Sequence, residues 1–186
     1  MQSPNGRGER INSFALVSYL PDPLADFLNR LRCELAPECV AKAHVTVLPP
    51  RPLVGSPDDA WQQVQHRLQD FQPFDVELAE IDIFPISKAI YIAIKSGAQE
   101  LGRMHSALNV DRLAFDEPFE YRPHLTLAQD LPPDQIASRL ELAAERWGAF
   151  PYPRGFTIEK LTFVQNTLEN CWADLAAMDL ASHVTT

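Results

Sequence analysis

Residues 44–50 read His-Val-Thr-Val-Leu-Pro-Pro, and residues 121–127 read Tyr-Arg-Pro-His-Leu-Thr-Leu. Both contain the pattern His-x-Thr-x, once with valines and once with leucines at the x positions. Short apolar runs of this kind, bounded by proline, predict strands. Side chains alternate faces along a strand, so residues two apart share a face. His44 therefore stands with Thr46, and His124 with Thr126. Val45, Val47, Leu125 and Leu127 take the opposite side as core anchors. Each motif thus presents an imidazole and a hydroxyl together on a rigid support.

The same order of elements surrounds both motifs. In the first half, residues 13–20 predict a strand that ends at Pro21-Asp22-Pro23. Apolar spacing predicts a helix over 24–35, with Asp22 as its cap. After the motif strand (43–48), Ser56 or Asp58 starts a helix that runs to Leu68. Residues 75–84 alternate apolar and acidic side chains, the pattern of a half-buried strand. The short 85–88 connection predicts a hairpin to a strand over 89–95. In the second half the pattern predicts a helix over 99–113, the motif strand, and a helix over 133–147 opened by Pro132-Pro133. An alternating strand over 156–164 follows, then a turn at 166–170 and a last strand over 171–178. Ile81 lies 37 residues after His44, and Leu161 lies 37 residues after His124. Motif, element order and spacing agree, which marks a duplicated unit. The expected fold is α+β: a duplicated two-lobe fold with antiparallel sheets flanking a central cleft and helices outside. Residues 1–11 are expected to be a disordered start, 12–178 one domain of two pseudo-symmetric lobes, and 179–186 a tail.

Composition narrows the function. The 186 residues are 46% apolar and 22% charged, close to the globular average, so wholesale disorder and fibrous repeats are excluded. The formal net charge of −9 argues against a protein that coats long duplex nucleic acid. It leaves room for a nucleotide or a short RNA end, where a few local cations suffice. Cys33, Cys39 and Cys171 match no metal spacing and read as reduced thiols. No apolar run approaches the roughly 20 residues of a membrane span, and the first ten residues lack the apolar core of a signal peptide. A cytoplasmic monomer is expected, with no membrane partner.

Two such motifs facing one another surround a small site with two imidazoles and two hydroxyls. Imidazole titrates near neutrality. One histidine can accept a proton from an attacking group while the other gives one to a leaving oxygen, each worth on the order of 10²–10⁴ in rate. The threonines can donate to the non-bridging oxygens of a phosphate. Phosphate diesters suit this layout, because attack and departure lie on opposite sides of phosphorus, and the layout requires neither metal nor cofactor. Lys42 and Arg122 each precede a histidine by two residues and extend the phosphate contact if the strands reach that far. Pro123 biases Arg122 toward the extended conformation this needs. Tyr121 is a candidate for stacking on a base.

These motifs resemble the two-histidine phosphoesterase superfamily. More narrowly, H-V-T-V-L-P-P and Y-R-P-H-L-T-L resemble the bacterial and archaeal 2′-5′ RNA ligase-like proteins, the RNA 2′,3′-cyclic phosphodiesterases. The resemblance covers roughly residues 12–178. It implies metal-independent hydrolysis of 2′,3′-cyclic phosphate or 2′-5′-linked ends, in some members reversible as ligation. It also implies that His44 donates a proton to the 2′-oxygen, that His124 accepts one from water, and that Thr46 and Thr126 hold the phosphate. The residues by themselves leave the two histidine roles interchangeable. The chain departs from the best-known members, which open with an Arg-Leu-Phe-type strand just after the initiator Met. Here Ser13-Phe14-Ala15-Leu16 sits later and lacks the arginine, nearer the divergent branch.

The remaining candidates read as structural. His66 is a solvated helix residue, His105 a surface or core-edge group, and His183 part of the tail. Tyr91 and Phe163 are expected in the core. Two other functions compete. One is a phosphodiesterase for a small non-RNA cyclic phosphate, such as an ADP-ribose cyclic phosphate or an oligoadenylate. Comparing mononucleotide with oligonucleotide substrates separates it from the first. The other is a non-enzymatic nucleotide-binding module, which binds without turnover.

Overall fold

A computed structural model describes residues 8–37 and 42–181. Cys39 and His183 lie outside them. The elements are β1 (Arg10–Tyr19), α1 (Leu24–Leu35), β2 (His44–Arg51), α2 (Pro57–Leu68), β3 (Phe74–Ile83), β4 (Ile90–Ser96), α3 (Ala98–Leu108), β5 (His124–Ala128), α4 (Ile136–Gly148), β6 (Gly155–Ile158), β7 (Lys160–Thr167) and β8 (Trp172–Asp179). The strands form two four-stranded antiparallel sheets, ordered β2-β1-β7-β8 and β5-β4-β3-β6.

The two orders match position by position, so the duplication read from the sequence is a spatial one. The motif strands β2 and β5 are the equivalent edges, and β7 and β3, which carry Leu161 and Ile81, are equivalent inner strands. The halves of the chain are nevertheless not the lobes. β3 belongs to the first half but pairs with β4 and β6, while β7 belongs to the second half and pairs with β1 and β8. Helices cross over as well. α1 packs against β5 and α4, and α3 packs against β2 and α2. One continuous apolar core therefore runs through both lobes.

Three expectations change. The strand expected over 156–164 is two strands, β6 and β7, in different sheets. The break falls at Glu159-Lys160, two consecutive exposed residues between buried Ile158 and Leu161, where the alternation slips by one. The helix expected over 99–113 stops at Leu108, and a short 3₁₀ turn covers Asp111–Leu113. There Asn109 Oδ1 accepts from the Phe115 N–H at 2.9 Å and draws the chain out of the helix. Strand β1 begins at Arg10, so Arg10 and Ile11 are ordered rather than part of a loose start. At the other end the chain is tied through Leu180, whose N–H donates to Glu159 O at 2.7 Å.

Local signals account for the rest. Ser56 caps α2 by accepting the Asp59 N–H at 3.1 Å, with Pro57 in the first turn. Asp22 Oδ1 accepts the Asp26 N–H at 3.2 Å at the start of α1. No helix among the described residues is long and apolar enough to cross a membrane. Phe163 is in the core, stacked on Phe14 and Trp61.

Trp147 on α4 is fully buried, stacks on Phe150 and donates Nε1–H to Ala79 O on β3 at 2.8 Å. Trp147→Ala is expected to cost about 3–5 kcal/mol. Trp147→Phe, which orphans only the Ala79 carbonyl, is expected to cost about 1–3 kcal/mol. Urea unfolding of the three proteins measures both.

Candidate active site

The edge strands β2 and β5 pack against one another and carry the two motifs. Burial alternates along both as the sequence requires: Val45, Val47, Leu125 and Leu127 are buried, while His44, Thr46, His124 and Thr126 are half-buried on the other face. Each histidine opens its strand. His44 stands opposite Tyr19 and Thr46 opposite Val17; His124 stands opposite Ala93 and Thr126 opposite Tyr91.

Both imidazoles are held the same way. His44 Nδ1 lies 2.6 Å from the Lys42 carbonyl oxygen, and His124 Nδ1 lies 2.6 Å from the Arg122 carbonyl oxygen. A carbonyl only accepts, so each Nδ1 carries the hydrogen and each neutral ring keeps its lone pair on Nε2. The Lys42 carbonyl also accepts from buried Arg32 Nη1 at 3.4 Å, and Asn29 Oδ1 accepts the Ala43 N–H at 2.7 Å. Burial pushes His44 down to about 4; the Lys42 carbonyl works against it, and the charges of Arg32 and His124 add to it. Burial also lowers His124, opposed by the Arg122 carbonyl and aided by the Arg122 guanidinium. Both rings are therefore neutral at pH 7 in the free protein.

The cations named from sequence lie on aromatic faces beside the two histidines. Lys42 is exposed, with Nζ 5.2 Å from the centre of the Tyr19 ring. Arg122 is exposed, with its guanidinium carbon 5.6 Å from the Tyr91 ring and 5.9 Å from the Phe84 ring. Each tyrosine hydroxyl donates to a carboxylate: Tyr19 to Asp174 Oδ1 at 2.5 Å, Tyr91 to Asp82 Oδ2 at 3.0 Å. Burial, with the carboxylate next, raises both phenols above their ordinary range. Tyr91 is buried, as its core assignment anticipated, yet its ring meets His124 edge-on at 5.5 Å. Tyr121 has partners other than a base: its hydroxyl donates to Thr46 O at 2.7 Å, and its ring lies on His105 at 4.0 Å.

Sequence reasoning missed several neighbours. Tyr19 and Phe84 line the two histidines, with ring centres 6.5 Å from His44 and 4.9 Å from His124. Asp174 and Arg32 were not singled out. An aromatic at the end of a strand is the one visible signal for Tyr19 and Phe84; register, which only pairing supplies, makes it meaningful. Among the described residues no three His, Cys, Asp or Glu side chains gather as a metal site.

A two-lobed α+β fold with one His-x-Thr pair on each facing edge strand defines the class of the two-histidine phosphoesterases. The family model of the 2′-5′ RNA ligase superfamily matches residues 20–170, and the chain belongs to that superfamily. A protein of Halalkalibacterium halodurans that carries the name of a phosphoesterase is 23% identical over 137 residues, 69% of this chain and 76% of that one. Among solved structures, E. coli LigT complexed with 3′-AMP superposes with a TM-score of 0.62 at 14% identity, over 95% of this chain and 100% of that one. TT0787 of Thermus thermophilus gives a TM-score of 0.62 at 17% identity, over 92% of this chain and 99% of that one. These likenesses establish the fold.

The depressed His44 has a consequence for stability. Its folded pKa of about 4 lies below the unfolded value near 6.5, so the fold favours the neutral ring. That contribution is full above about pH 6.5 and is lost as pH falls toward 4. The urea midpoint is expected to drop between pH 7 and pH 4.5, and to drop less in His44→Gln.

Proposed function

We propose that this protein is a metal-independent phosphodiesterase that hydrolyses 2′,3′-cyclic phosphate or 2′-5′-linked ends of nucleotides and short RNA by paired-histidine acid–base catalysis. One observation carries the reading. Two imidazoles on facing edge strands are each locked through Nδ1 to the carbonyl two residues upstream, with Nε2 available and a threonine hydroxyl on the same face.

In this reading the phosphate lies between the lobes. Thr46 and Thr126 donate to its non-bridging oxygens, and Lys42 and Arg122 neutralise charge from the rim. Water attacks phosphorus. One Nε2 takes its proton while the other, protonated, gives a proton to the departing ribose oxygen, so one P–O bond forms and one breaks. Motif position assigns His44 as donor and His124 as acceptor. The monophosphate isomer released names the oxygen that left. A 5′-hydroxyl that attacks the cyclic phosphate in place of water forms one P–O bond as a ring P–O bond breaks, and this gives ligation. A bound phosphate anion raises the pKa of the imidazole it touches, which supplies the protonated partner that the free site disfavours. The neighbouring LigT, solved with 3′-AMP, supports a nucleotide substrate, and so do the aromatic rings of Tyr19 and Phe84 beside the histidines.

The test is hydrolysis of nucleoside 2′,3′-cyclic phosphates in EDTA. His44→Ala and His124→Ala are each expected to lose on the order of 10²–10⁴ in kcat. Activity that survives both substitutions refutes the mechanism. Because one ring must be protonated and both are depressed in the free protein, the maximum of kcat/KM is expected between about pH 4 and 6.5, falling on the alkaline side.

A further inference from the structure

We infer that Tyr121, with the Arg51–Glu117–His105 cluster behind it, is a positioning device that sets the spacing between the two His-x-Thr pairs. The inference rests on the paired-histidine reading above, and it adds residues that touch neither phosphate nor reacting atoms.

The contacts form a closed circuit that leaves β2 and returns to it. Arg51, the last residue of β2, is 2% exposed. Its Nε donates to Pro49 O at 3.0 Å, its Nη1 to Asn109 Oδ1 at 2.7 Å and Leu113 O at 2.8 Å, and its Nη2 to Glu117. The Glu117 oxygen that meets Arg51 also meets His105 Nε2, at 2.8 Å, with both side chains nearly enclosed. The His105 ring lies parallel to Tyr121, 3° apart at 4.0 Å. The Tyr121 hydroxyl then donates to the carbonyl of Thr46, within the first motif.

The position of this circuit is what gives it a role. β2 is an edge strand of one sheet. The segment from Asn109 to Tyr121 leads into β5, the edge of the other sheet, and Tyr121 lies three residues before His124. The circuit therefore ties the strand of the first motif to the approach of the second. Its parts are costly to move. Losing Arg51 leaves the buried Glu117 carboxylate without its countercharge, and a carbonyl on an edge strand needs a donor. Proton transfer between groups on separate strands depends on their spacing, and a displacement of about 1 Å is enough to cost on the order of 10² in rate. His105 covers one face of the Tyr121 ring, and the hydroxyl is already engaged on Thr46.

The deciding variant is Tyr121→Phe, which keeps the ring on His105 and removes only the hydroxyl. Two readouts are taken on the full chain: kcat and KM on nucleoside 2′,3′-cyclic phosphates, and the titration of the His44 ring followed by NMR of ¹⁵N-labelled histidine. Tyr121→Phe is expected to lower kcat about 10- to 100-fold with KM within roughly twofold. The His44 titration is expected to rise from near 4 toward 6.5 as the lobes separate and water enters. Glu117→Gln, one step further back, is expected to move both readouts the same way, with the double variant no worse than the poorer single one. Wild-type kcat together with an unmoved His44 titration in Tyr121→Phe overturns the inference, as does a rise confined to KM, the mark of a substrate contact. If the wild-type protein turns over no cyclic phosphate, the titration decides alone. A shift then sustains the positioning role while the substrate assignment fails. If Glu117→Gln does not fold, Tyr121→Phe remains the test.

Discussion

The first half of the chain lends β3 to the sheet of the second motif, the second half lends β7 and β8 to the sheet of the first, and the geometry of the cleft depends on that exchange. Without it, two strand-helix-strand units would be linked lobes free to move against one another. With it, β3 lies between β4 and β6, β7 lies between β1 and β8, α1 and α3 lie on the opposite sheet, and one apolar core runs through both. The motif strands β2 and β5 are left as edges that face each other. Edge strands carry backbone groups without a neighbouring strand on one side, a feature proteins must cover or pair. Here the contact between the two edges, reinforced by Tyr121 on the Thr46 carbonyl, meets that requirement and builds the site in the same place.

The chemistry of the two rings follows from short-range backbone geometry. A histidine that opens a strand can reach the carbonyl two residues back, and both histidines do so at 2.6 Å. That bond selects the tautomer and directs the basic nitrogen away from the strand's own backbone. Burial then removes the charge. In the proposed reaction, neutral imidazoles beside exposed Lys42 and Arg122 gain a proton when an anion enters. The cations themselves are steadied on Tyr19 and on Tyr91 with Phe84, so each lobe repeats the same set of histidine, threonine, cation and aromatic ring.

Much of this was legible in the chain itself. The His-x-Thr spacing, the apolar residues between, and the shared 37-residue interval to an alternating strand identified the duplication, the motif strands and the shared face of His44, Thr46, His124 and Thr126. Helix α1 starts and ends where its apolar spacing put it. These are local properties: period, capping and β-branching act over a few residues and are written in them. The slip at Glu159-Lys160 was also present in the sequence, as two adjacent charges in an alternating run, but its meaning was not. Nothing nearby says that the strands on either side of it enter different sheets.

Tertiary structure decided everything that depends on partners distant in sequence. His105 reads as an edge-of-core group until Glu117 and Tyr121 are seen beside it. Arg51 reads as a charge after two prolines until four acceptors from two segments surround it. Tyr19 becomes a wall of the site only because β1 pairs with β2 in a register that sets it opposite His44. The sequence by itself determined which side chains share a strand face and what acid–base chemistry they can perform, because alternation along a strand is fixed by backbone geometry. Which strands become neighbours, and hence how far apart the two pairs stand, was left to the folded chain, because that choice depends on burying one common core and pairing edges that lie some 80 residues apart.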